Sequence, residues 1–285
     1  MRTTALCTLA VLLAATHGTA TAEPMRSAGH SAPTTQSPRE RADARPAIVK
    51  RDEELFTKGS YIAYAAPWSA KVSKLEAGKD FVDTITIREA TFPAQTKIAW
   101  HWPLDISQKT GVRGYNTLSY GNYDSGLPER PVRPVQVKSM RSGWQSFAWR
   151  YEPVAGDFNL LAEFYLTRTS GRSEAKTVEI GFMLHTPLAT RAWTRAGKSA
   201  TRWTDAFGVQ WDVTRNQGPG IPYIIFMPHD GTDLLKGRLD VKGALAELRR
   251  IGIISGDEWL NGVAFGVEPV SGSGFVIVDD WTVHW

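Results

Sequence analysis

An antiparallel β-sandwich of jelly-roll type, all-β apart from one amphipathic α-helix packed on it, is the fold this sequence predicts. Three observations carry that prediction. Short runs rich in β-branched and aromatic residues recur along the chain, Gly, Pro, Asn and Asp punctuate them, and a single stretch changes to helical spacing.

The runs, in order, are 83–88 (DTITIR), 97–102 (KIAWHW), 159–168 (NLLAEFYLTR), 177–185 (TVEIGFMLH), 207–214 (FGVQWDVT), 223–227 (YIIFM), 262–268 (GVAFGVE) and 275–284 (FVIVDDWTVH). Eight or more strands at this spacing suit a sandwich that closes over one core. The exception is 240–251 (DVKGALAELRRI). There Asp240 can cap a helix whose Leu245, Leu248 and Ile251 share a face, and Gly252 stops it. The connection 120–134 (YGNYDSGLPERPVRP) has three Pro and two Gly and is expected to close one end of a cleft.

Ahead of these elements, residues 1–22 carry Arg2, an apolar run from Ala5 to Ala15 and the small residues Ala20-Thr21-Ala22, the pattern of a secretory signal peptide. Residues 23–50 are rich in Ser, Thr, Ala, Pro and Arg and read as a disordered linker. Residues 51–285 then form one β-rich domain, expected to act as a monomer outside the cytoplasm, secreted or periplasmic. The apolar run is shorter than the ~20 residues of a membrane-spanning helix, so no membrane insertion is expected. The single cysteine, Cys7, lies inside the signal, which leaves the processed chain without disulfide, thiol nucleophile or thiolate ligand.

A formal charge of +4 spread over interspersed basic and acidic residues argues against nucleic acid, which needs clustered Lys and Arg. No two of His101, His185, His229 and His284 stand at helical metal-ligand spacing, so neither metal nor other cofactor is expected. Eleven Trp point another way, because an exposed indole is a flat platform for the C–H face of a sugar ring.

Side-chain alternation sharpens this, since i and i+2 share a face of a strand. In 177–185, Val178, Ile180, Phe182 and Leu184 face the core, while Glu179, Gly181, Met183 and His185 face outward. In 262–268, Val263, Phe265 and Val267 face the core, and Ala264, Gly266 and Glu268 face outward. In 159–168, Glu163 and Tyr165 lie outward with Asn159 and Leu161. Two carboxylates facing across a groove are what glycosidic hydrolysis requires, one to protonate the leaving oxygen and one to attack or stabilise the anomeric carbon. The glycines beside Glu179 and Glu268 are expected to leave room for the ligand.

These residues resemble family 12 of the glycoside hydrolases, small endoglucanases and xyloglucanases with a β-jelly-roll fold, over roughly residues 97–285. Segment 111–121 (GVRGYNTLSYG) looks like the family's V-K-S-Y-P-N segment, 177–184 (TVEIGFML) like its Y-E-I-M-I-W-L strand, and 209–216 (VQWDVTRN) like its G-x-x-W-x-L-Y-x-G strand. Segment 240–254 matches its lone helix, and 266–272 (GVEPVSG) resembles its G-x-E-x-x-x-G strand. The resemblance implies Glu179 as nucleophile, Glu268 as acid/base and Glu163 as an assisting carboxylate where the family has Asp. Gly181 and Met183 replace a Met and an aromatic residue, so the cleft floor differs. Trp68, in 64–69 (YAAPWS), is the candidate sugar-stacking residue, with Trp102, Tyr165, Met183 and His185 as further substrate contacts.

The function implied is a secreted, retaining hydrolase of β-1,4-linked glucan, whether cellulose-type, mixed-linkage or xyloglucan, with a polysaccharide or oligosaccharide as its partner. Two other classes fit the same architecture. One is a carbohydrate-binding jelly roll without catalysis, and the other is a polysaccharide lyase using His185 and Tyr165.

Overall fold

The computed structural model describes residues 46–103, 111–152, 155–217 and 220–285, so the signal-peptide assignment and most of the linker assignment fall outside the described residues. Seventeen strands follow among them: β1 (Ile48–Arg51), β2 (Leu55–Lys58), β3 (Tyr61–Tyr64), β4 (Val82–Ile87), β5 (Thr96–Trp102), β6 (Asn116–Gly121), β7 (Val135–Gln136), β8 (Trp144–Tyr151), β9 (Phe158–Thr167), β10 (Lys176–His185), β11 (Lys198–Thr204), β12 (Gln210–Gln217), β13 (Pro222–Pro228), β14 (Lys236–Leu239), β15 (Trp259–Leu260), β16 (Gly262–Pro269) and β17 (Gly272–His284). β1 begins inside the segment read as linker, because Ile48 to Arg51 pair with β4.

Two sheets face each other. The smaller has the order β1-β4-β5-β17-β8-β14, and the larger β11-β12-β13-β10-β9-β16-β6-β3-β2, with β15 beside β9 and β7 paired to β15. The strand pairs are antiparallel except β10 with β13, which run parallel. That pair departs from the purely antiparallel expectation, and it places Tyr223 next to Glu179.

The alternation argued from sequence fills the space between the sheets. Val178, Ile180, Phe182 and Leu184 of β10 and Val263, Phe265 and Val267 of β16 are buried in one apolar cluster. Phe182 stacks on Phe226 with ring centroids 4.6 Å apart and meets Trp211 edge-on at 5.3 Å. Phe182→Ala is expected to cost about 3–5 kcal/mol, since so tightly surrounded a cavity cannot collapse. Urea unfolding measures it, and a cost below about 1 kcal/mol would contradict the packing.

Among the described residues three α-helices accompany the sheets: α1 (Trp68–Ser73), α2 (Leu188–Arg195) and α3 (Val241–Arg250). α3 is the expected one. The Asp240 carboxylate accepts the Gly243 N–H at 2.8 Å, Ala244, Leu245 and Leu248 are buried, and Gly252 turns away with φ +75°. α1 and α2 are additions to the single helix expected, both short and each preceded by a proline at its N-cap. The strand expected at Phe207 starts instead at Gln210. The Asp205 carboxylate accepts the N–H groups of Phe207 and Val209, folding the chain into a turn first.

Candidate active site

Three adjacent strands, β10, β9 and β16, carry one outward carboxylate each. In the ladder Glu163 lies opposite Gly181 on one side and Ala264 on the other, so it stands between the strands of Glu179 and Glu268. All three line one cleft of about 500 Å³. A second hollow of about 420 Å³ adjoins it and shares Val112, Trp193, Tyr223 and Glu268. Under the carboxylates a small apolar floor of Tyr115, Leu161, Met183, Ile225 and Ala264 is buried on the outward face of the sheet.

The neighbours of each carboxylate set its proton affinity. Glu163 is 3% exposed, and burial first, then the charge of Glu179, holds its carboxyl well above the usual range. It accepts a hydrogen bond from the Tyr123 hydroxyl and is hydrogen-bonded to Glu179. Glu179 is pushed up to about 7 by burial, with the Glu163 hydrogen bond opposing the rise and the Glu268 charge adding to it. Glu268 is pushed up to about 8 by burial and then by the Glu163 charge. Against this, Asn159, its cross-strand partner, donates Nδ2 to Glu268 Oε2 at 2.9 Å. Glu179 is therefore the first of the three to ionise.

A cage of tyrosines completes the site. The Tyr115 hydroxyl donates to the Leu161 carbonyl at 3.1 Å. Tyr123 stacks on Tyr165 at 5.3 Å, and Lys176 Nζ sits 3.7 Å over the Tyr165 ring while pairing with Asp124 at 2.7 Å. The Tyr223 hydroxyl is buried without a hydrogen-bond partner, and its proton affinity is raised by burial and by all three carboxylates.

Of the residues singled out in the sequence, Glu163, Glu179, Glu268, Trp68 and Tyr165 line the cleft, and Met183 lines the adjoining hollow. Two do not reach it. Trp102 is 1% exposed, stacked on Phe81 at 4.2 Å with Nε1 donating to Asp83 at 2.9 Å, because its face of β5 is the core face. His185 is displaced by a register shift between Met183 and His185 that reverses the alternation. Its ring stacks on the core residue Phe158 at 4.2 Å, and its Nδ1 meets Asp233 at 2.7 Å.

The two glycines also have another purpose than the one expected. A Cβ on Gly181 would lie 2.5 Å from the Tyr223 hydroxyl, and one on Gly266 would lie 2.2 Å from the Asn116 carbonyl. The space beside each carboxylate is taken by a phenol in the first case and by the backbone of β6 in the second.

Asn159, Tyr115, Tyr123, Tyr223 and Trp193 were not singled out in the sequence. Alternation in 223–227 could have found Tyr223, whose neighbours Ile224 and Phe226 are core residues. Trp193, on α2, is exposed at the cleft edge, as is Trp68 on α1. The start of β6 anchors the chain two residues before Trp68: the Tyr115 N–H donates to the Ala66 carbonyl and the Asn116 side chain accepts the Ala66 N–H. Among the described residues no group of three or more His, Cys, Asp or Glu is placed to hold a metal ion, and no helix is long and apolar enough to cross a membrane.

No family model matches this sequence, and no curated protein does. Solved structures match it. A family 12 xyloglucanase from Bacillus licheniformis aligns with a TM-score of 0.66 at 16% identity, over 83% of this chain and 99% of the other. The chain has the fold of the family 12 glycoside hydrolases. Endoglucanase 3 of Trichoderma harzianum aligns at 0.65 and 16% identity, over 84% and 97% of the two chains. The xyloglucanase domain of NopAA, a type three effector from Sinorhizobium fredii solved with cellobiose, aligns at 0.60 and 16%, over 84% and 99%. The family 12 fold thus extends over nearly the whole of each of these structures, on the sandwich that holds the three carboxylates.

Proposed function

We propose that this chain is an exported, retaining glycoside hydrolase, a divergent member of family 12 that cuts β-1,4-linked glucan with Glu179 and Glu268. The observation that carries this reading is the meeting of Glu179, Glu163 and Glu268 in one cleft, with Glu179 the most readily ionised.

In the first step Glu179, ionised and hydrogen-bonded to protonated Glu163, attacks the anomeric carbon, while protonated Glu268 gives its proton to the departing sugar oxygen. In the second, Glu268, now the base, takes a proton from water as that water displaces the Glu179 ester and restores the starting configuration. Asn159 holds Glu268 in place. Trp68 and Trp193 provide stacking faces at the cleft edges. Trp68→Ala and Trp193→Ala are each expected to raise KM about five- to tenfold with little change in kcat, the mark of uniform binding. An unchanged KM in both would remove the indoles from substrate binding.

The purified chain is to be tested on cellulose, mixed-linkage glucan and xyloglucan, reading reducing ends and the anomer of fresh product by proton NMR. The β-anomer is expected first. The α-anomer would overturn retention, and no reducing ends from any of the three would overturn the hydrolase reading.

A further inference from the structure

A larger cavity, about 740 Å³, shares no residue with the cleft and opens where the connection after β6 meets β7, β15 and Trp285. Alternation on β6 separates the two. Thr117 and Ser119 line the cleft, whereas Tyr120 turns the opposite way and packs against Tyr61 at 5.0 Å and Trp285 at 5.1 Å. The connection after β6, expected to close one end of the cleft, serves both sides. Tyr123 and Asp124 stand in the cleft, and Arg130 to Pro134 wall the second groove.

That groove is lined by three arginines, Arg130, Arg133 and Arg141, by Trp259 and Trp285, and, among the described residues, by no carboxylate. The nearby acids have other partners. Asp257 pairs with Lys138 at 2.7 Å, Glu129 accepts the Gly59 N–H at 3.0 Å, and Glu258 accepts the Gly256 N–H at 2.7 Å. Arg130 is held by its Nε on Ser60 Oγ at 3.2 Å, while Arg133 and Arg141 are exposed and form no ion pair among the described residues. Three like charges around one concavity repel each other and draw an anion in. A guanidinium matches a carboxylate as a two-pronged donor, and the indoles offer flat apolar faces.

We propose that this groove binds a carboxylated glycan, a chain of uronate-type sugars, and tethers the protein to an acidic polysaccharide while the cleft, which shares no residue with it, stays open to its own ligand. Sugar is favoured over nucleic acid because three arginines in a bounded hollow do not make the extended basic track that a phosphate backbone follows, and basic and acidic residues are otherwise balanced, 33 against 29.

Electrophoresis of the full secreted chain through gels containing polygalacturonate, with a neutral β-glucan gel as reference, tests this without reference to catalysis. Retardation by polygalacturonate is expected, weakening as salt is added. The variant carrying Arg133→Gln and Arg141→Gln is expected to lose roughly fivefold or more of that binding. Its Tm, and its mobility and activity on neutral glucan, are expected to stay the same. Absence of retardation, or undiminished retardation of the double variant, overturns the proposal. Equally strong binding of a single-stranded DNA oligonucleotide through the same arginines also overturns it, by making the groove a general polyanion surface.

Discussion

Glu179→Ala and Glu268→Ala are each expected to fold and to lose on the order of 10³-fold or more in kcat/KM on a soluble β-glucan. The two losses differ in kind. A substrate whose leaving group needs no proton, such as a dinitrophenyl cellobioside, is expected to restore much of the first step in Glu268→Ala and none of it in Glu179→Ala. Azide, small enough to enter the space left by Glu179, is expected to rescue that variant as a glycosyl azide of inverted configuration. Folding of both variants is expected because each substitution removes a carboxyl group that burial already disfavours in its charged form. A loss smaller than tenfold in either variant would take that residue out of the chemistry.

A bell-shaped pH profile of kcat/KM is expected near neutrality, rising as Glu179 ionises at about 7 and falling as Glu268 loses its proton at about 8. Glu163→Ala removes the hydrogen bond that lowers the Glu179 value and so moves the acid limb up toward the other. The two limbs then converge and the maximum shrinks. An unmoved profile in Glu163→Ala would show that Glu163 does not act on its neighbours.

The same groups govern stability. Glu163, Glu179 and Glu268, and Asp83 at about 7 through burial beneath Trp102, all bind protons more tightly folded than unfolded. Between about pH 4.5 and 8 the unfolded chain therefore holds fewer protons than the folded one, so unfolding free energy falls as pH rises. The stabilisation is complete below the ordinary carboxylate range, and the shares of Asp83, Glu179 and Glu268 are lost as pH passes through about 7 to 8. Tm is expected to drop by roughly 5 to 10 °C from pH 5 to 8.5, and Glu268→Gln to flatten the curve. A Tm that rises over this interval would sink the burial account.

What the sequence revealed and what it concealed both follow from how local each signal is. The alternation in β10 and β16 depends on neighbours one and two residues away, so the outward carboxylates and the apolar faces behind them could be read directly. His185 escaped the same rule because one irregularity in the ladder with β9 reverses it, and nothing in the local composition of 177–185 marks that shift. Trp102 was misplaced for a different reason: β5 has one aromatic face, and whether it meets the core or solvent is decided by its packing on β17 and Phe81, outside the segment itself. Tyr223 and Trp193 reach the cleft only through the parallel pairing of β13 and a short helix at the cleft edge, both tertiary facts. Glycines were legible as small residues, but what fills the space beside them was not.

The phenol lying over Gly181 makes these two positions, 42 residues apart, a single unit in the history of the chain. Any larger residue at 181 meets a hydroxyl at 2.5 Å, so that position is closed to change until residue 223 has shrunk first. Related sequences are accordingly expected to fall into two groups, glycine with tyrosine or a bulky residue with a small one, with the crossed combination missing. A library randomised at both codons would show this as strong epistasis, and anyone reshaping the cleft floor would have to change the two together.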